Sequence, residues 1–532
     1  SIKLNRSGSC TDADISMVSL YKDDVQIGTG SFVNGSVSFA GLNIELAPNT
    51  AKNIFVVYNI SASAALGHAV GMTLFEPASI ILSGAGNVST VNLPITSRLS
   101  MVSRFAPLQE LTGVSQASAV WGDYDGDNDL DALITGSSVS GNICRVFKNN
   151  SGTFSLAADL PGIANNESAY GAMWGDYDND GDLDIAVTGI GSSTIYKNDN
   201  GQFSPIEANL PGLYNSSIVW GDYDNDGDID IALAGYDGVN RITRIYQNNN
   251  GVFTDIEANI VSIHQGALAW VDYNNDGWLD LSILGNNAGD ITKVYKNNGN
   301  NTFVDSGIGL PEVYVGCLAW ADFDNDGDMD TAITGGNGYN KITRIYRNDN
   351  GTFTDINAGL QGAYTSFVAW GDYDNNGFLD LALVGKSDGM GDICNIYRNN
   401  GNGSFTLDIA INLPGITNGA VNWGDYDHDG DMDILLAGAS SGEGIARIYE
   451  NDEADYNPNN LPSPPVDGFA ASYDSGIVTL NWGNGSDIEA GTSGLYYNLR
   501  IGTSSGNGNI VSPQYGSPLL GRYYGLKGRT MK

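Results

Sequence analysis

The sequence predicts an all-β chain whose centre is seven copies of one unit, and three observations carry this. First, near-copies of the stretch Trp174–Asp184 (WGDYDNDGDLD) recur. Their acidic loops open at Asp123, Asp176, Asp222, Asp272, Asp322, Asp372 and Asp425, at intervals of 53, 46, 50, 50, 50 and 53 residues. A fixed spacing of this length marks stacked units, each of which buries its apolar face only against a neighbour. Second, the sequence between loops falls into short strand-like runs such as DIAVTG, RIYQN and GVFTDIE, so each copy reads as four strands. Third, helical periodicity is nearly absent, which excludes nucleotide-binding α/β folds.

Each loop places acid or amide side chains at positions 1, 3 and 5, usually a Gly at 6, and an Asp at 9. Alternate residues of a tight loop can direct their oxygens inward around a hard dication, which takes about 6 to 8 of them. The candidate calcium ligands are Asp123, Asp125, Asp127 and Asp131; Asp176, Asp178, Asp180 and Asp184; Asp222, Asp224, Asp226 and Asp230; Asp272, Asn274, Asp276 and Asp280; Asp322, Asp324, Asp326 and Asp330; Asp372, Asp374, Asn376 and Asp380; and Asp425, Asp427, Asp429 and Asp433. Position 7, which would give only its backbone carbonyl, varies from Asp182 to Trp278 and Phe378. The fourth and sixth loops each lose a charge through Asn274 and Asn376, and Asn128 replaces the usual Gly in the first. The competing reading is a set of Asp-Gly hairpin turns, but such a turn does not need an Asp at position 9.

These repeats resemble the FG-GAP or VCBS repeats of integrin-α-like proteins over roughly residues 103–453. The resemblance implies a seven-bladed β-propeller with about seven structural calcium ions on one face, used for adhesion and recognition outside cells. It does not imply an enzyme.

The seventh copy runs through ARIYEND and lacks the Gly-x-Phe strand of the other six. Residues 103–111, including Phe105 and APLQEL, match that missing strand and are expected to close the last unit. Seven tryptophans in one register (Trp121, Trp174, Trp220, Trp270, Trp320, Trp370 and Trp423) read as core between units, with a ligand-binding ladder as the alternative.

Residues 1–102 lack the repeat and contain the runs SIKLN, ISMVSLY, SVSFAGLNIEL, NIFVVYNI, AVGMTLF and SIILSG, read as an Ig-like β-sandwich. A Pro- and Asn-rich linker is expected over 454–465. Residues 466–532 resemble the early strands of a fibronectin type III module, with Trp482 and Tyr497 as core. A processed or fragmentary chain explains an opening inside a strand at Ser1 and missing last strands at Lys532. The other reading is polymerisation by β-strand complementation between copies.

The formal net charge is -38, and 31 of the 62 acidic residues lie in the seven loops. That balance argues against nucleic acid or an anionic membrane as partner. Structural calcium favours a secreted or cell-surface setting, and the chain is read as bacterial. No apolar run reaches membrane-spanning length and no signal peptide is evident. The four cysteines (Cys10, Cys144, Cys317 and Cys394) read as free thiols, since their places in the repeat register do not pair.

No catalytic constellation is evident. His68, His264 and His428 have no partner pattern, and Gly438, Ser440 and Gly442 spell GxSxG in a hairpin where a strand-to-helix elbow is required. Six residues before the Trp, four consecutive repeats carry Tyr214, His264, Tyr314 and Tyr364, either packing or a patch for glycan or protein. The expected partner is therefore another copy of the chain, in a filament, or an extracellular glycan or protein. Sequons at Asn5, Asn166, Asn215 and Asn484 are compatible with an extracellular chain or with chance in Asn-rich loops.

Overall fold

A computed structural model describes residues 105–451 apart from 163–170, 190 and 339, together with short segments, mostly strands, between 2 and 101 and between 470 and 531. The chain divides into two compact units. One is Ser1–Ala106 with Ile409–Asn412 and Asp452–Pro458; the other is Pro107–Asp408 with Leu413–Asn451 and Asn459–Lys532. Among the described residues no helix is long and apolar enough to cross a membrane.

The first unit holds two antiparallel sheets. One runs Ser36–Phe39, Ile2–Ser7, Ala69–Leu74, Ile95–Thr96, with Ser100–Met101 also on Ala69–Leu74; the other runs Val25–Gly30, Ile15–Lys22, Ile54–Ile60. Sequence reading passes over Val25–Gly30 because Gly28 and Gly30 weaken it as an isolated strand, and pairing with Ile15–Lys22 overrides that preference. The expected strand at 79–84 and the extension of Ser36–Phe39 to residue 46 lie outside the described residues, as do His68 and Cys10.

The second unit is built of repeated antiparallel sheets. Tyr214–Gly221, Asp230–Tyr236, Arg241–Asn249 and Val252–Asp255 form one four-stranded sheet in sequence order, and four more sheets of four strands follow the same plan. The second strand of each repeat, such as DIALAGY, is buried on both faces and reads accordingly as a continuous apolar run.

A seven-stranded sheet joins the two ends of the repeat array. Its order is Thr153–Pro161, Gly141–Asn150, Asp131–Ser138, Phe105–Gly122, Glu443–Asn451, Asp433–Ser440, Thr417–Gly424. Phe105–Gly122 is one continuous strand of 18 residues, where sequence reading expects a separate closing strand. Its C-terminal half pairs with Asp131–Ser138. Farther back, a Cβ built on Gly113 would lie 2.3 Å from the Gly444 carbonyl oxygen, and Arg447 bridges Glu110 at 2.6 Å.

The tryptophans pack between successive repeats, as their register predicts. Trp270 is 4 % exposed and stacks on Tyr223 of the preceding repeat at 5.9 Å and 11°. Trp121 of the first repeat stacks likewise on Tyr426 of the last at 6.4 Å and 13°. Glycine follows the Trp because a side chain there would strike the next ring: a Cβ on Gly221 would sit 2.6 Å from Trp270. Where Val271 takes that place, Trp320 stands edge-on to Phe353 at 85° and gives its N–H to Ser282 Oγ at 2.9 Å.

Ala470–Asp474 and Ile477–Asn481 pair as a hairpin, with Thr530–Met531 on the second strand. The linker 454–465 and residues Trp482 and Tyr497 lie outside the described residues. Cys144, Cys317 and Cys394 are buried and form no disulfide among the described residues, and burial pushes the Cys144 and Cys394 thiols up to about 12.

Candidate metal centres and an aromatic patch

Each acidic loop connects the first and second strands of its repeat, so its two ends are fixed by the sheet. In the second loop Asp176 accepts the N–H groups of Asp180 and Gly181 through its two oxygens, each at 3.0 Å, which folds the loop back over its first residue. Asn179, between them, adopts a φ of 57°, a left-handed conformation that Asn tolerates. Asp180 caps the N–H of Asp182 at 3.1 Å. Equivalent bonds recur in the third loop through Asp222 and Asp226.

Position 9 is the floor of the site. Asp184 is wholly buried and accepts Tyr177 N–H at 3.0 Å and Asn198 N–H at 2.7 Å. Despite these bonds, burial pushes its carboxyl up to about 8, and those of Asp230, Asp330 and Asp433 to about 9. Burial also raises Asp176, Asp222 and Asp372 to about 7. Asp176 and Asp184 are thus withdrawn from water while the donors described above for them are uncharged backbone N–H groups.

Carboxylate oxygens from positions 1, 3 and 9 lie within 4.8 Å of one another in the loops of Asp176, Asp222, Asp322 and Asp372; in the first loop Asp123, Asp125 and Asp127 form the trio. One oxygen of the position-3 carboxylate, Oδ1 of Asp125, Asp178, Asp224 and Asp324, is shielded from solvent and has no hydrogen-bond partner. A buried charged acceptor left unsatisfied is costly unless a cation takes it. The donors offered are oxygens, with no thiolate or imidazole in the trios, so the residues present fit a hard dication of the calcium type.

The loops also hold one another. Asn225 at position 4 donates to the Gly277 carbonyl at position 6 of the next loop at 2.9 Å, and Asn375 donates to Gly430 O at 3.1 Å and Asp431 Oδ1 at 2.8 Å. His428 Nε2 meets the Asn128 carbonyl at 2.7 Å, carrying this contact from the last loop to the first.

One residue type is missed by reading the loops alone. Asn149, Asn198, Asn248, Asn297, Asn348, Asn399 and Asn451, near the end of each third strand, are buried. Each gives its backbone N–H to the position-9 Asp of its own repeat. Its Nδ2 goes to the position-2 carbonyl of the repeat before, as in Asn248 to Tyr177 O at 2.7 Å. The signal was in the sequence, an Asn in the same register of every repeat, but turn-rich segments are full of Asn and its partner is about 70 residues away.

At the opposite ends of the strands, Tyr214 is 37 % exposed and its ring lies 6.4 Å from Tyr236, which lies 6.0 Å from His264. Arg241 Nε reaches His264 Nδ1 at 3.2 Å, and burial lowers the imidazole pKa. Tyr236 was not among the expected patch residues. Tyr364 stands apart from this cluster, under Lys341 with Nζ 4.3 Å from its centroid, and Tyr314 lies beside Gly336 of its own sheet. The structure thus gathers Tyr214 and His264 through Tyr236 and places Tyr314 and Tyr364 in surroundings of their own. Asn215, a sequon residue, occupies the adjacent bulge with a φ of 48° and its Oδ1 shielded.

A family model described as FG-GAP-like repeat matches residues 123–187, 176–233, 222–283, 272–333, 322–383 and 384–436. No curated protein matches the chain. Among solved structures, it is similar to an Agrocybe aegerita lectin described by its recognition of non-reducing terminal N-acetylglucosamine, with 17% identity, TM-score 0.38, 66% of this chain covered and 92% of that one. It is also similar to the Bacillus licheniformis rhamnogalacturonan lyase PL11, with 13% identity, TM-score 0.40, and 84% and 89% covered. A third, BBS1N in complex with ARL6DN, gives 13% identity, TM-score 0.41, and 65% and 96% covered.

Proposed function

Because the chain belongs to the FG-GAP-like repeat proteins, we propose that residues 103–453 form a seven-bladed β-propeller, stiffened by about seven calcium ions, that serves in adhesion or recognition outside cells. The observation that carries the calcium reading is the set of solvent-shielded, unbonded carboxylate oxygens at position 3 of four loops. Position 1, 3 and 9 carboxylates would hold the ion, with position 5 at the rim. The ion supplies positive charge that lets the buried acids ionise, and the role is structural. Support for closure comes from the strand Phe105–Gly122, shared between the first and last repeats. The reading is of a binding protein and not of an enzyme. Elemental analysis after gel filtration in millimolar calcium tests it: about seven ions per chain are expected, and a metal-free chain would overturn it.

A recognition patch is a second reading, favoured by the Tyr214–Tyr236–His264 cluster with Arg241 at its edge. Neighbouring rings, tilted at 56° and 47° to one another, beside a guanidinium suit a sugar or a polar protein loop. Glycan-array binding by the isolated chain would support the glycan partner. Calcium-dependent multimers without glycan binding would favour a second copy of the chain as the partner.

A further inference from the structure

The residue just before the buried Asn of each third strand lies beside the acidic loop, and it differs in charge from repeat to repeat. In the first repeat Lys148 Nζ bonds Asp125 Oδ2 and lies 3.0 Å from Asp127 Oδ2; in the second Lys197 bonds Asp178 and lies 2.8 Å from Asp180. Lys296 reaches Asp276 at 2.9 Å in the fourth repeat, and Arg398 bonds Asp374 in the sixth. In the third repeat this place is taken by neutral Gln247, whose Nε2 donates to Asp224 Oδ2 at 2.5 Å, and in the seventh by acidic Glu450.

We propose that this residue sets the divalent-cation affinity of its loop, so that the seven sites are graded, with the third and seventh the tightest and the fourth and sixth, where a basic residue meets a loop that has already lost a charge, the weakest. The proposal rests on the calcium reading above. A lysine on the outer oxygens of positions 3 and 5 is a tethered competitor. It satisfies part of the charge that would attract the ion, and it repels a dication a few ångströms away. Gln247 holds the position-3 carboxylate in the same orientation without that charge. Glu450 adds a carboxylate to a loop that already has five. Lys148 and Lys197 are about a third exposed (30% and 31%), so water and salt screen the repulsion in part and the effect stays moderate.

The test is a calorimetric calcium titration of the calcium-free full chain at low salt, for the wild type, Lys197→Gln, Gln247→Lys and the double exchange. Wild type should titrate in at least two affinity classes. Gln247→Lys should move one ion out of the tight class, weakening it about tenfold, a difference of about 1.4 kcal/mol. Lys197→Gln should move one ion in, and the double exchange should restore the wild-type isotherm, which controls for misfolding. Calcium binding with isotherms unchanged across the set would overturn the graded-site proposal alone. A wild type that binds no calcium would overturn the calcium reading as well.

Discussion

Asn149 donates its side-chain N–H to the backbone carbonyl of Tyr426 at 2.8 Å, across 277 residues of sequence, by the same bond that joins every other repeat to its predecessor. Seven such bonds run round the array and return to their start. The same Asn149 side chain accepts the Gly152 N–H at 2.7 Å, so its removal strands a donor and an acceptor together.

Replacing Asn149 with Ala should therefore destabilise the protein by about 1–3 kcal/mol, the cost of leaving a buried carbonyl unsatisfied. Because the bond holds first repeat to last, Asn149→Ala should also open the array locally. Hydrogen exchange in 105–122 and 443–451 should rise more than elsewhere. Equal protection in variant and wild type would refute a closing role.

Gly221→Ala should cost about 1–3 kcal/mol, since the new methyl group lies 2.6 Å from Trp270, a ring locked between two repeats. Gly289→Ala, with nothing within 4 Å and no left-handed φ, should be neutral or slightly stabilising. Denaturant midpoints of the two variants, measured side by side, check the contrast.

The acids at position 9 give the calcium-free protein an unusual pH dependence. Their folded pKa values, about 8 for Asp131, Asp184 and Asp280 and about 9 for Asp230, Asp330 and Asp433, stand above the unfolded value of about 3.9. A raised folded pKa contributes stability that is full below about pH 4 and is lost as pH rises through 8 to 9. Chelated protein should accordingly melt lower at pH 9 than at pH 5.5. Calcium held by the ionised carboxylates, as proposed, should raise the midpoint most at the alkaline end. A chelated protein whose melting temperature climbs with pH over that interval would contradict the burial argument.

Replacement of one position-3 carboxylate, Asp178→Ala, should remove one calcium ion while leaving the fold intact, because it deletes both oxygens from a loop that lies outside the packed core. Native mass spectrometry should count one ion fewer than in wild type. An undiminished count would mean that the second loop does not use this side chain.

Tyr236→Ala tests the aromatic cluster, since it breaks the ring contact between Tyr214 and His264 without touching either. If the patch recognises sugar, glycan-array signals should fall by an order of magnitude or more with little change in melting temperature. A drop in stability with binding retained would assign the ring to packing.

The amino-acid sequence by itself determined the repeat, the position of each acidic loop and the acid and amide side chains it carries, because those features follow from a nine-residue window and from its repetition. It also placed the tryptophans in the core and indicated that residues near 105 complete the last sheet. The tertiary structure alone decided that Phe105–Gly122 is one strand serving two repeats, and that Asn149 meets Tyr426. It alone showed that Tyr236 and not Tyr314 bridges the patch, and that Lys197 faces Asp178 where Gln247 faces Asp224. These are relations between residues brought together by sheet register, and register is set by the packing of whole repeats, which no local pattern specifies.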